Sequence, residues 1–176
     1  MTTTAGMQPM VALLRAVNVG GTGKLAMSDL VALCVAAGFE NVRTYIASGN
    51  AVFRSSLSVS ETKRTLEAHL RTFAGCPMQV AVRTRDEMAR VLAQNPFPDA
   101  PGNRVVAIFL DRPTSSATLG GVTGQGEDEA IALGVQEIYV RYGAGMAHSK
   151  LRIPSAAAGT ARNMNTVAKL AAMVAA

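Results

Sequence analysis

The sequence predicts an α+β fold of two ferredoxin-like halves with mostly antiparallel sheets, the second half an incomplete copy of the first. Short apolar runs alternate with helical periodicity in the order βαββαβ, a tight-turn sequence separates two of the strands, and a sparser set of strands follows. We expect a disordered tail at 1–8 and a single domain at 9–174, with halves at 9–83 and 84–174.

A strand and a helix open the first half. The apolar run at residues 10–17 predicts a buried strand, which the glycine-rich segment at 20–23 ends. The helix that follows ends at Gly38, which can adopt the left-handed conformation of a helix C-terminus. Its apolar face has helical spacing and consists of Leu30, Leu33, Cys34 and Ala37.

A hairpin, a helix and a strand complete the first half. Residues 42–47 and 51–54 flank a Ser-Gly-Asn turn, where Gly49 can take the positive φ of a tight antiparallel connection. A capping-box pattern at 58–61 starts the second helix. Residues 78–83 then alternate between apolar and polar side chains, which predicts a strand with one buried face.

The second half carries fewer helical signals. A capping-box pattern at 84–87 opens a helix, and the apolar run at 104–110 predicts a strand buried on both faces. Residues 114–126 hold four glycines and few apolar anchors, so we expect a mobile loop with a short helix at most. The remaining elements are a hairpin around Gly134, with strands at 129–133 and 137–142, and a closing helix around 167–174.

Composition excludes several classes of protein. The chain is 49% hydrophobic and 16% charged, which is richer in apolar residues than a disordered segment. Its longest apolar run, 105–110, is far shorter than the roughly 18 residues of a membrane helix, so no membrane partner is expected. The first residues lack a secretory signal, and Cys34 and Cys76 are too few for a disulfide framework. Both observations predict a cytoplasmic protein.

The net charge of +5 is concentrated towards the two ends of the chain. All acidic residues lie before residue 141, and Arg15 and Lys24 precede the first of them, Asp29. If the fold brings the two ends together, they form a positive surface that attracts anions. A basic balance that only aids solubility is an equally supported alternative.

The first candidate site is the segment 15–24, which joins a strand to a helix through three glycines and ends at Lys24. Such a loop can direct backbone N–H groups at an anion. It is not a Walker A loop, because Asn18 and Leu25 stand where that motif needs Gly and Ser or Thr. A flexible connection without a bound nucleotide is the alternative.

Two short polar segments are further candidates. Ser48 and Asn50 occupy a turn that a hairpin alone would explain. Ser149 and Lys150 are adjacent, so their side chains point in different directions and lack the geometry of a nucleophile and its base. Catalytic residues therefore stay unassigned.

The segment 160–167 is the last candidate, at the start of the closing helix. Asn163 is a residue type that caps helices. Arg162 is less ordinary, since a cation near the positive end of a helix costs up to about 1 kcal/mol unless a carboxylate or an anion offsets it. An ion pair with one of residues 127–129 and a bound anion explain Arg162 equally well.

Metals and cofactors are not predicted. The chain has two histidines and two cysteines, and none of them occurs at a metal-binding spacing. With 5% aromatic residues and no tryptophan, the sequence offers little for stacking bases, so nucleic acid is a weaker candidate partner.

Three segments carry a family pattern: 13–21 (LLRAVNVGG), 38–50 (GFENVRTYIASGN) and 160–167 (TARNMNTV). In this order they resemble the family catalogued as domain of unknown function 1697, over about residues 9–174. The resemblance implies a bacterial-type cytosolic α+β protein with two ferredoxin-like halves, and it implies no established activity. The chain departs from the family at Met164, where the family usually has Trp.

The leading hypothesis is a binding module for an anionic, phosphate-bearing small ligand. A hydrolase or transferase acting on such a ligand, and a protein-interaction or oligomerisation module, are the alternatives; the oligomeric state is left open. If the polar segments converge in space, the ligand-binding residues are Arg15, Asn18, Lys24, Ser48, Asn50, Ser149, Lys150, Arg162 and Asn163.

Overall fold

The computed structural model describes residues 6–18 and 24–176, and it has an α+β fold with two four-stranded antiparallel sheets, which confirms the predicted fold class. In chain order the elements are β1 (Gln8–Leu14), α1 (Met27–Ala36), β2 (Glu40–Thr44), β3 (Asn50–Ser55), α2 (Val59–Ala74), β4 (Val80–Thr84), α3 (Arg85–Ala93), β5 (Val105–Phe109), β6 (Ala130–Leu133), β7 (Glu137–Arg141), β8 (Thr160–Asn163) and α4 (Met164–Ala175).

The chain divides into two compact units. Unit 1 consists of Met1–Met88 together with Leu170–Ala176, and unit 2 consists of Ala89–Lys169. The boundaries between the units fall inside α3 and α4. Unit 1 is therefore made of two separate stretches of chain.

Unit 1 has the strand order β2-β3-β1-β4, with every neighbouring pair antiparallel. Its element order βαββαβ is the predicted one and corresponds to the split βαβ arrangement. Both helices pack on the same face of the sheet, because α1 contributes Leu30 and Cys34 and α2 contributes Leu66 and Leu70 to one apolar cluster.

Unit 2 repeats this strand order as β6-β7-β5-β8, again antiparallel. Where unit 1 has its two helices, unit 2 has short 3₁₀ turns at Ser116–Leu119 and Pro154–Ala158. Partly buried apolar residues from these connections pack on the sheet, among them Leu119 and Leu151. The expected short helix within 114–126 is thus a single 3₁₀ turn.

Local turn and capping signals in the sequence are confirmed. Glu61 N donates to Ser58 Oγ at 3.2 Å while Ser58 N donates to Glu61 Oε2 at 2.9 Å, which closes the capping box of α2. A second capping box starts α3, where Thr84 N donates to Glu87 Oε2 at 2.8 Å and Glu87 N donates to Thr84 Oγ1 at 3.2 Å. Gly49 has φ +87°, and a Cβ there would lie 2.9 Å from Leu14 Cβ.

Three strand predictions need correction. β1 ends at Leu14 rather than at 17, because Ala16 takes a left-handed φ of 52° that interrupts the ladder. β2 covers Glu40–Thr44 rather than 42–47, since Ile46, also left-handed, turns the chain before the hairpin closes. β4 is buried on both faces, and the expected exposed face is wrong: Arg83 on that face is 3% exposed.

Strand β8 was not predicted. Its residues Thr160–Asn163 pair antiparallel with β5 before α4 begins at Met164. The glycine-rich segment 20–23 lies outside the described residues. So do residues 1–5 of the expected tail at 1–8, and β1 begins at Gln8.

Candidate functional site

Asn18 joins two loops at one end of the unit 1 sheet. Its Nδ2 donates to Leu25 O at 2.8 Å and to Ala47 O at 2.9 Å, and its Oδ1 accepts from Leu25 N at 2.8 Å. The side chain thereby holds the chain after β1 to both the approach to α1 and the turn between β2 and β3. Three bonds to the backbone give Asn18 a positioning role in these loops.

Left-handed backbone is concentrated in the same loops. Ala16, Asn18 and Ile46 have φ values of 52°, 56° and 52°. This conformation is uncommon for residues other than glycine, and for a β-branched residue such as Ile46 it is an outlier. Strained residues persist where the surroundings hold them in place, and they cluster at functional sites.

The Ser48-Gly49-Asn50 turn is held from within. Asn50 is fully buried, and its Nδ2 donates to Tyr45 O at 2.9 Å and to Ser48 Oγ at 3.0 Å. Tyr45 N donates to Asn50 O at 3.0 Å and closes the hairpin. Asn50 thus fixes the shape of the turn, as the hairpin explanation for this segment expects.

Arg15 and Lys24 line a groove of about 750 Å³ in unit 1, which we call the Arg15 groove. Arg15 is anchored on the residue before β4, because its Nη1 donates to Gln79 Oε1 at 2.8 Å and its N donates to Gln79 O at 3.0 Å. Lys24 is exposed. The other residues lining the groove are Ala16, Leu25, Phe73, Ala74, Cys76, Pro77 and Met78.

The Arg15 groove is therefore positive and partly apolar. None of the described residues that line it is Asp or Glu, so nothing acidic in the lining offsets the two cations. Its volume falls within the roughly 300–1,000 Å³ of small-molecule sites. The groove can accommodate a small molecule that carries both a negative group and an apolar part.

Ser149 and Lys150 lie in unit 2, beside a hollow of about 190 Å³. Ser149 Oγ donates to Glu129 Oε2 and accepts from Leu151 N at 3.1 Å, so the hydroxyl is already engaged. Asp128 and Glu129 line the same hollow. These carboxylates oppose binding of an anion beside Lys150.

Asn163 and Arg162 also lie in unit 2. Asn163 Oδ1 accepts from Thr166 N at 2.9 Å, which is the helix-capping bond expected from its position. Arg162 lies on β8 opposite Ala107, and its Nη1 donates to Ala161 O at 2.9 Å. Burial lowers the pKa of Arg162 to about 10, so the guanidinium stays charged at neutral pH.

The predicted site residues thus fall into two groups. Unit 1 brings together Asn18, Ser48 and Asn50 in its joined loops, with Arg15 and Lys24 on the neighbouring groove. Within unit 2 the structure gives Ser149 and Asn163 backbone partners of their own.

A second basic groove in unit 1 was missed. Arg43, Arg54 and Arg85 line it, and they come from β2, β3 and the start of α3. The sequence could have indicated part of this groove, because Arg43 and Arg54 flank the predicted hairpin turn and therefore fall on neighbouring strands. Arg85 comes near them only because of the order of the strands in the folded sheet, which the sequence does not show.

A metal site and a reactive Cys34 thiol have no support in the described part of the chain. No group of three or more His, Cys, Asp or Glu residues there could hold a metal ion. Cys34 is buried, and burial raises the pKa of its thiol to about 12, so it is unreactive at neutral pH. None of the helices among these residues is long and apolar enough to cross a membrane.

Comparison with known proteins agrees with the fold. A solved structure, the conserved bacterial protein SP0830 from Streptococcus pneumoniae, matches with a TM-score of 0.79 and 23% sequence identity, over 96% of this chain and 99% of that one. A search of curated proteins finds no match. The model of one family, described as "Protein of unknown function (DUF1697)", matches residues 7–139. The chain belongs to this family.

Proposed function

We propose that the protein is a binding module for a small anionic ligand, phosphate-bearing with an apolar part, and that the Arg15 groove of unit 1 takes it. The observation that carries this proposal is the pair of cations, Arg15 and Lys24, in a groove whose described lining has no acidic residue. Charge-assisted hydrogen bonds from guanidinium and ammonium groups to phosphate are about twice as strong as neutral ones.

Arg15 is suited to this role because its position is fixed before a ligand arrives. One of its terminal nitrogens is occupied by Gln79 at 2.8 Å, and a guanidinium has further N–H donors for a phosphate oxygen. A side chain that is already ordered loses less conformational entropy on binding. The bond to Gln79 therefore favours affinity.

The apolar part of the ligand is inferred from the rest of the lining. Leu25, Phe73 and Met78 lie along the groove, and the Phe73 side chain is 49% exposed. Burying this ring against a ligand would remove apolar surface from water at roughly 25 cal/mol per Å². A free phosphate ion would leave this surface uncovered, which favours an organic phosphate.

The loops beside the groove support the proposal through their rigidity. Asn18 ties them together through three backbone bonds, and Ala16 and Ile46 hold strained conformations there. In this proposal Ser48 and Asn50 act by shaping the loops. The exposed free thiol of Cys76 fits a reducing, cytoplasmic environment.

The predicted site residues of unit 2 have structural partners or an acidic neighbour. Ser149 and Asn163 have structural hydrogen bonds, and Glu129 beside Ser149 disfavours an anion. Lys150 and Arg162 supply positive charge. Removing either of them tests whether unit 2 contributes to binding.

A thermal-shift screen tests the proposal. The panel contains inorganic phosphate, sugar phosphates, nucleoside monophosphates and phenyl phosphate, applied to wild type and to Arg15→Gln combined with Lys24→Ala. A ligand at 100 times its Kd stabilises the folded state by about 2.7 kcal/mol. For a chain of this size that is roughly 5–10 °C in Tm.

Arg64→Ala is the matched control, because Arg64 is exposed on α2 of the same unit and does not line the groove. We expect organic phosphates to shift wild type and the Arg64 variant equally and the double variant much less. If every compound shifts all three proteins alike, or none shifts the wild type, the proposal is wrong.

A further inference from the structure

The second groove of unit 1, here called the Arg54 groove, has a volume of about 680 Å³. Three arginines line it, Arg43, Arg54 and Arg85, together with apolar residues that include Pro9 and Val174. No Asp or Glu side chain occurs in this lining, as far as the chain is described. Three guanidiniums in one groove give a denser positive charge than the Arg15 groove has.

The register of the sheet explains why two of the arginines meet. Arg43 of β2 lies opposite Val52 of β3, and Arg54 of β3 lies opposite Pro9 of β1. Opposed residues share a face, and so do residues two apart on one strand. Arg43 and Arg54 therefore project from the same face of the sheet. Arg85 follows directly after β4.

Neutral acceptors hold two of these guanidiniums. Arg43 Nη2 donates to Met173 O and Arg54 Nη2 donates to Met7 O, both at 2.7 Å. A carbonyl oxygen orients a guanidinium without cancelling its charge, and several N–H donors remain on each group. Each of these exposed side chains is thus oriented by one hydrogen bond and still positive.

The charge that Arg43 and Arg54 present to a ligand depends on whether they form ion pairs with carboxylates. Within residues 6–18 and 24–176, neither Arg43 nor Arg54 forms an ion pair, although Glu40 is the cross-strand neighbour of Arg54. Arg85 contacts Asp86 at 3.5 Å, but the Asp86 side chain is 90% exposed, where such a pair is weak. The charge in the groove is thus available to a ligand.

We propose that the Arg54 groove is a second anion site, separate from the Arg15 groove, and that it binds a small oligophosphate with at least two phosphate groups. Arginine is the side chain best matched to phosphate, because its planar fork can donate two parallel hydrogen bonds. Three such forks from three elements exceed what one phosphate group needs.

A nucleic acid strand fits this groove less well. The aromatic residue in the described lining is Phe53, which is 1% exposed and stacks on Phe39 with ring centroids 4.4 Å apart. Binding of single strands relies on bases stacking on accessible aromatic rings. The groove offers charge without such a platform, which favours a small ligand.

Isothermal titration with inorganic tripolyphosphate tests the inference. The variant that combines Arg43→Gln with Arg54→Gln removes both positive charges and keeps a polar side chain at each position. Each lost charge-assisted hydrogen bond weakens binding about tenfold, so we expect roughly a hundredfold rise in Kd. Arg64→Gln is the matched control on the same unit and should bind as wild type does.

Two further variants keep the result decisive. Arg85→Gln removes a guanidinium that contacts the exposed Asp86, and it should raise Kd about tenfold even if the double variant is unstable. Arg15→Gln with Lys24→Gln removes the charges of the Arg15 groove and leaves the Arg54 groove intact, so this variant should keep the tripolyphosphate binding that the Arg43 and Arg54 variant loses.

Three results would overturn the inference. They are no binding of tripolyphosphate by wild type, unchanged binding in both Arg54 groove variants, and loss of binding only in the Arg15 and Lys24 variant. Tighter binding of a single-stranded oligonucleotide with the same arginine dependence would replace the small ligand by a nucleic acid. The first two results leave the proposal for the Arg15 groove unchanged. The third would move the tripolyphosphate site to that groove.

Discussion

Units 1 and 2 share a strand order but cover their sheets differently. In unit 1 the helices α1 and α2 pack on one face, whereas in unit 2 connecting loops with 3₁₀ turns supply the apolar residues. Backbone segments approach closely in those loops: a Cβ added at Gly124 would lie 2.0 Å from Lys150 O, and one at Gly159 would lie 2.6 Å from Ile108 Cγ2. One face of a sheet can therefore be covered without helices where glycines let the chain come close.

The largest expected change in unfolding free energy comes from truncating an apolar residue that packs on the sheet. The cost should differ clearly between the two units. Leu66→Ala removes a fully buried side chain from α2 and should cost about 2–5 kcal/mol of unfolding free energy. Leu119→Ala, in the 3₁₀ turn of unit 2, removes a partly buried one and should cost about 1 kcal/mol. Urea unfolding of both variants measures this, and equal costs would show that the loops cover as completely as the helices.

Two glycines with the same φ allow the cost of a steric contact to be measured apart from the cost of a left-handed backbone. Gly124 and Gly75 both have φ +72°, but a Cβ at Gly75 would meet nothing within 4 Å. Gly75→Ala should cost about 1 kcal/mol, the penalty for a left-handed residue. Gly124→Ala should cost about 1–3 kcal/mol more, because the methyl group meets the Lys150 carbonyl. Thermal unfolding gives both values, and a difference near zero would contradict close packing of the unit 2 loops.

Removing a capping serine from each unit should give the smallest difference in unfolding free energy. Ser58→Ala removes the cap of α2 and should cost about 1 kcal/mol. Ser115 makes a similar bond, accepting from Ala117 N at 3.3 Å, but the turn that it caps has four residues. Ser115→Ala should therefore cost only a few tenths of a kcal/mol. A larger cost for Ser115 than for Ser58, measured by urea unfolding, would reverse this ranking.

The parts of the fold that could be predicted depend on interactions between residues close together in the sequence. Ser58 and Thr84 each bond a glutamate three residues further along, so the capping-box patterns are visible in the sequence. Strand β8 was missed because Thr160–Asn163 is polar and lacks an apolar alternation. Its pairing with β5 is a long-range contact, which periodicity does not register.

The candidate site shows the same limit. The sequence marks polar side chains such as Asn18, but it does not tell whether their partners are ligand atoms or the protein backbone. Asn18 bonds Leu25 and Ala47, of which the second lies 29 residues away in the chain. The basic groove around Arg54 was equally hidden, because its residues meet only once the strands are ordered in the sheet.

The division of unit 1 between two stretches of chain has a consequence for its biogenesis. Arg43 donates to the carbonyl of Met173, which lies 130 residues further along. During translation this contact cannot form until the segment 170–176 has emerged from the ribosome, even though the sheet that carries Arg43 emerges earlier. The Arg54 groove, which Val174 helps to line, is thus completed only after residues 170–176 have been synthesised.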